Sequence, residues 1–334
     1  SWLLLSRDSG GGIEVAQLPL PDGELLQLQR PQGLSYDALV PPSAIPPGWR
    51  IGSFSSLAHG LFEEKSAADR DLRADRAARQ AAVPDDLPSD DILLFPPGAR
   101  TGECLHALME SIDFTDPAHW PHAIKAVLRK FPGPPTAPLM LASLVRNLLA
   151  TPLPIGTASP LHLAKLDPAR RLTEMEFYLP SAGLKDHHLN QFLGSAGYPI
   201  GQLGFAPLAG FLKGFIDMVF EHDGRYFVLD WKSNHLGHRV EDYSHQSMWA
   251  EMSRHGYQLQ ALLYSVALHR HLSSRLVDYD PQRHFGGWVY LFMRGVRPGW
   301  LQPDGSPAGL IFERPEPSLL AKLSALFDSR GPDA

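Results

Sequence analysis

Apolar positions recur at offsets of three and four over residues 102–112, which sets Leu105, Leu108 and Met109 on one side of a predicted helix. The same period predicts helices over 119–131 and 138–150. It then gives way to alternation over 172–179, where Leu172, Glu174, Glu176 and Tyr178 share one face of a strand. A short helix is expected over 185–195. Two β-rich runs follow, 211–220 and 225–232, joined by His222, Asp223 and Gly224, a sequence suited to a tight hairpin turn. Residues 242–272 read as one long helical region with Leu259, Leu262, Leu263 and Val266 as its buried stripe. A further strand is expected over 286–293 and a closing helix over 319–327. The order α-α-α-β-α-β-β-α-β-α predicts an α/β fold, a mixed central sheet flanked by helices, with extra helices on its N-terminal side.

The N-terminal quarter lacks such periods. Gly10 to Gly12 and then Pro41, Pro42, Pro46 and Pro47 break helix and strand alike, so residues 1–48 read as a linker. A short strand or turn is expected at 49–51, leading into 53–57. The charged, Ala-rich stretch 63–91 reads as a mobile, solvated insertion. The chain starts at Ser1 rather than Met, which suggests a piece of something longer.

Composition narrows the classes. With 334 residues, 44% hydrophobic and 20% charged, the chain can bury a real core. A formal charge of -6 argues against an isolated, strongly basic nucleic-acid binder. One cysteine, Cys104, allows neither an internal disulfide nor a cysteine zinc cluster, and it is expected to be simply buried. No run of about 18 apolar residues reads as a membrane span. The histidines between 235 and 271 show no paired metal spacing and are expected to be solvated.

Chemistry concentrates at Asp217 and at Asp230, Trp231 and Lys232. Residues two apart on a strand share a face, so Asp230 and Lys232 point together while Phe227, Leu229 and Trp231 point into the core. The hairpin turn brings Asp217 alongside Asp230. Two carboxylates can hold a hard divalent cation, and a neighbouring lysine can orient or deprotonate a water. By spacing alone, a structural Asp–Lys pair on a strand edge explains the pattern as well.

The surrounding sequence decides between them. Residues 210–220 and 226–234, then Tyr257 to Gln260, 264–270 and 290–295, resemble the RecB-type nuclease domains of the PD-(D/E)xK superfamily, whose fold is restriction-endonuclease-like. The resemblance runs over about 49–330, with a catalytic core at about 101–295; residues 1–48 would then be the tail of a preceding helicase region. It implies that Asp217 and Asp230 bind metal, that Lys232 is the catalytic lysine, and that His106 and the Trp231 carbonyl are further ligands. It also implies a strand glutamate. Glu174 and Glu176 share a face, so periodicity leaves both open, with Glu174 preferred. Gln260 and Tyr264, one helical turn apart, match the motif that braces the site or contacts DNA. The implied cofactor is Mg²⁺, with Ca²⁺ or Mn²⁺ able to take its place. The implied activity is hydrolysis of single- and double-stranded DNA in double-strand-break repair. The implied partners are RecC-like and RecD-like subunits and a RecA-like recombinase, in a bacterial cytoplasm. No G-x-x-x-x-G-K-[ST] occurs, so no ATP site is expected in this chain. The alternative is a non-catalytic module kept for assembly or recombinase loading.

Overall fold

The structure, a computed structural model, describes residues 2–16, 49–58, 83–198 and 200–328. The chain divides into two units, Ser1–Pro46 and Pro47–Ala334. In the first, helix α1 (Trp2–Asp8) is followed by a turn at Gly10 and Gly11, both with positive φ. Residues 17–48 of the expected linker, and residues 63–82 of the expected insertion, lie outside the described residues.

The second unit is a mixed α/β structure around a six-stranded sheet. Its strands are β1 (Arg50–Ser53), β2 (Arg171–Leu184), β3 (Leu208–His222), β4 (Arg225–Lys232), β5 (Phe285–Phe292) and β6 (Leu310–Glu313). Its helices are α2 (Phe54–Ala58), α3 (Ala99–Ser111), α4 (Trp120–Lys130), α5 (Ala137–Ala150), α6 (Asp186–Ser195), α7 (His245–His255), α8 (Tyr257–Arg275), α9 (Pro281–His284) and α10 (Pro317–Asp328).

Strand β3 organises the sheet. Antiparallel β2 pairs along it from Leu208 to Phe220 and takes one edge. The other edge is shared: parallel β1 takes Gly210 to Lys213, and antiparallel β4 takes Met218 to His222. Residues 214–217 lie between the two, and no described strand pairs with them on that edge. The β3–β4 turn is two residues long, with Asp223 at φ 50° and Gly224 at φ 74°, the double positive φ that matches strand twist. Strand β5 then pairs parallel with β4, and β6 antiparallel with β5.

The sheet is buried between two helical layers. On one face Val228, Trp288, Tyr290 and Phe292 pack with Leu259, Leu262, Leu263 and Val266 of α8 and with Leu320, Leu323 and Phe327 of α10. On the other, Phe227, Leu229, Trp231, Val289 and Leu291 pack with Leu105, Leu108 and Met109 of α3 and with α5. Burial on both faces explains why β5 reads as a continuous apolar run.

Several expectations need correction. The single helix over 242–272 is interrupted: α7 ends at Gly256, whose left-handed φ of 64° allows a turn before α8 begins. Asp91 is not solvated; it is buried and held by Arg297 at 2.5 and 3.0 Å. His235, His238 and His255 are buried too, His255 against Glu251 at 2.9 Å. Strand β6 was not anticipated. Cys104 is buried as expected, and burial pushes its thiol up to about 11.

Candidate active site

The uncovered stretch of β3 is where the chemistry gathers. Just beyond the last β3–β4 pair, Met218 with Leu229, the strands part, and Asp217 accepts a hydrogen bond from the Trp231 N–H at 2.8 Å. Asp230 and Lys232 follow on β4, and both are buried. On β2, Glu174 carries φ 51° inside the strand and is left out of the pairing with β3. A left-handed non-glycine residue costs about 1–2 kcal/mol and persists where its surroundings hold it.

Lys232 is the best-positioned group. Its Nζ lies 2.7 Å from Asp230 Oδ2 and donates to Gln260 Oε1 at 2.9 Å. It also stands 3.7 Å from the centroid of the Tyr257 ring and 4.8 Å from that of Tyr290. Gln260 is fully engaged in turn: Tyr290 OH donates to its Oε1 at 3.1 Å, and its Nε2 donates to Tyr264 OH at 3.0 Å. The one-turn spacing of Gln260 and Tyr264 on α8 therefore builds a chain of contacts ending on the lysine.

From the other layer, α3 brings His106. Its Nδ1 is 3.4 Å from Asp217 Oδ2. Burial works against its charge, but the hydrogen bond and charge of Asp217, with that of Asp230, outweigh it and raise its pKa. Burial and the charges of Asp217 and Glu110 raise Glu174 above the ordinary carboxylate range. Burial, aided by Asp217 and opposed by Lys232, pushes Asp230 up to about 6. Glu176 differs: it is bound by Lys213 at 2.6 Å and by Tyr178 OH at 3.1 Å, which lower its pKa. Both glutamates are exposed; Glu174 feels the charge of Asp217, whereas Glu176 is engaged by Lys213.

Among the described residues, no three His, Cys, Asp or Glu side chains already stand in a cation-holding arrangement. The donor chemistry nonetheless fits a hard divalent ion. Asp230 Oδ2 is buried and meets the Lys232 ammonium at 2.7 Å. Asp217 and Asp230 offer hard carboxylate oxygens, and His106 a nitrogen beside the first, the kind of donor set a divalent ion takes.

Sequence reading missed one positioning group. Arg294, fully buried, donates to the carbonyls of Ser233, Ile92, Phe95 and Pro96 at 3.0, 2.8, 2.8 and 3.3 Å. It ties the end of β4 to the loop that leads into α3 and His106. Its sequence signals are its place in the matched block 290–295 and a charge at the end of the apolar run of β5.

Residues 85–302 match the PD-(D/E)XK nuclease superfamily. The RecBCD enzyme subunit RecB of Escherichia coli (strain K12) is 38% identical over 288 residues, covering 84% of this chain and 23% of that protein. Those of Haemophilus influenzae and Mycobacterium tuberculosis (strain CDC 1551 / Oshkosh) are 31% and 33% identical, each over 84% of this chain and 24% and 29% of theirs. The chain thus spans about a quarter of the length of these relatives.

Proposed function

The chain belongs to the PD-(D/E)XK nuclease superfamily, and on that premise we propose that it hydrolyses DNA phosphodiester bonds as the cutting part of a RecBCD-type assembly. The observation that carries the proposal is the meeting of Asp217, Asp230 and Lys232 where β3 and β4 part. His106 and Glu174 adjoin that point.

Asp217 and Asp230 would hold Mg²⁺, with Ca²⁺ or Mn²⁺ as substitutes, and His106 and the Trp231 carbonyl would complete the protein's share. Such an ion, when bound, supplies Lewis-acid polarisation of the phosphate and makes a water acidic. The residues do the rest. The Trp231 N–H donates to Asp217 Oδ2 and holds that carboxylate in place. Lys232 carries protons within reach of the carboxylates, and Gln260 with the rings of Tyr257 and Tyr290 restricts where its ammonium can go. That fixes the group that aligns the attacking water and, once its ammonium has given up a proton, takes the water's proton. Glu174 supplies a further carboxylate toward Asp217. Water adds to phosphorus, the P–O bond to the leaving strand breaks, and the products are a phosphate end and a hydroxyl end.

The substrates would be single- and double-stranded DNA met during double-strand-break repair. RecC-like and RecD-like subunits and a RecA-like recombinase would be the partners. Among the described residues, no helix is long and apolar enough to cross a membrane. The test is incubation of linear and circular DNA with the chain in Mg²⁺ or in EDTA. Cleavage that needs the metal is expected; cleavage indifferent to EDTA would overturn the proposal.

A further inference from the structure

The Tyr257 ring that faces Lys232 has a support of its own, built on α7. Its base is Glu251, which is 2% exposed, a rare place for a carboxylate. His255, one helical turn on, donates from Nε2 to Glu251 Oε1 at 2.9 Å. Asn234, two residues past Lys232 on the chain leaving β4, donates to the same oxygen at 3.1 Å. Arg254 takes the other oxygen. One buried carboxylate thus joins the end of α7 to the segment that follows the lysine.

His255 is itself buried, and its ring stacks on that of Tyr257, with centroids 5.2 Å apart and planes at 18°. Gly256 stands between the two residues, and its φ of 64° turns the chain so that α8 starts at Tyr257. Lys232 Nζ lies over the same Tyr257 ring, 3.7 Å from its centroid. Tyr257 is only half-buried; its ring contacts, with His255 and with Tyr290 at 6.3 Å, limit how it swings.

A buried ion pair adds little to folding over apolar side chains of like size, so stability alone does not account for Glu251 and His255. Their line of contact ends on the lysine. Resting on the nuclease reading above, we propose that Glu251 and His255 are positioning residues for DNA cutting. Glu251 orients the His255 ring, and His255 sets the Tyr257 ring. The face of that ring then holds the Lys232 ammonium where the attacking water has to be aligned. Neither residue touches DNA in this role.

The test reads the lysine and the reaction separately, in the full chain. With ¹³C-labelled lysine and EDTA present, the ε-methylene protons of Lys232 are assigned by their loss in Lys232→Arg. They should resonate upfield in wild type, because they lie over a ring. His255→Gln keeps a donor for Glu251 but has no ring, and should return that signal toward the ordinary lysine position. His255→Phe keeps a ring and should leave the signal upfield. Cleavage of single-stranded DNA in Mg²⁺ should follow the same order. In His255→Gln kcat should fall about tenfold with KM unchanged, and in His255→Phe it should come back to within about threefold of wild type. Glu251→Gln should fall between the two. In a Tyr257→Leu background, His255→Gln should cost nothing further, because the ring it acts through is gone. An unaltered kcat or lysine signal in His255→Gln, no recovery in His255→Phe, or the full loss repeated in the Tyr257→Leu background would overturn the inference. Failure of the nuclease reading looks different: the lysine signal would move as described while wild type cut nothing in Mg²⁺.

Discussion

Gln260 holds Lys232, and replacing it by leucine, similar in size but without polar atoms, separates holding from DNA contact. The substitution removes three hydrogen bonds, from Lys232 at 2.9 Å, from Tyr290 at 3.1 Å and to Tyr264 at 3.0 Å. The two tyrosine hydroxyls each lose about 1 kcal/mol, so folding stability should fall by about 2 kcal/mol. The lysine loses a charge-assisted bond of about 2 kcal/mol, which becomes a loss of about 30-fold in rate if it serves only to place the ammonium. Gln260→Glu keeps the acceptor for Lys232 and Tyr290 and should recover most of that rate. The assay is steady-state cleavage of single-stranded DNA in Mg²⁺, with circular dichroism to check folding. The expected signature is a fall in kcat with KM little changed. A normal kcat with KM raised tenfold would refute the positioning role and make Gln260 a DNA contact.

Other expectations follow from the same contacts. Arg294→Met deprives four carbonyls of their donor and should cost about 4 kcal/mol or more in urea unfolding, since hydrogen bonds to a buried charge are worth about 1.5–3 kcal/mol each and do not add fully. Glu174→Gly should raise stability by roughly 1 kcal/mol, because glycine accepts φ 51° without strain, while lowering cleavage. Burial raises the Glu251 pKa, but His255, Arg254 and Asn234 outweigh it and hold it below the usual value of 4.5. A depressed carboxylate stabilises the fold above its unfolded pKa and loses that contribution as pH falls through the folded value. The stability gap between wild type and Glu251→Gln should therefore be full near neutrality and shrink below about pH 4.5, as unfolding curves at several pH values would register.

What the sequence made legible was mostly local. The β3–β4 hairpin followed from two β-rich runs and Asp223-Gly224, and with it the nearness of Asp217 to Asp230. Gln260 and Tyr264 were found through the family resemblance, and the fixed distance of one helical turn put them on one face. The break at Gly256 had its signal too, Arg254 and His255 in the last turn before a glycine, but the apolar stripe on either side hid it. The four residues of β6 were too few to show a period, and they form a strand only because β5 offers an edge. Long-range arrangement was out of reach. Nothing in the pattern says that β1 and β4 share one edge of β3, or that Arg294 threads back to residues 92–96. Nor does periodicity separate Glu174 from Glu176: what distinguishes them is the positive φ of Glu174 and its nearness to the charge of Asp217, while Glu176 pairs with Lys213.

The most direct test is single-turnover cleavage of linear DNA as Mg²⁺ is titrated, comparing wild type with Asp230→Asn. This variant keeps the shape of the side chain but lacks its charge. Wild-type rates should rise with Mg²⁺ to a plateau and vanish in EDTA, while Asp230→Asn, folded by circular dichroism, should be slower by about 1,000-fold or more at every concentration. Equal rates in the two proteins would contradict a cation-assisted centre at Asp217 and Asp230.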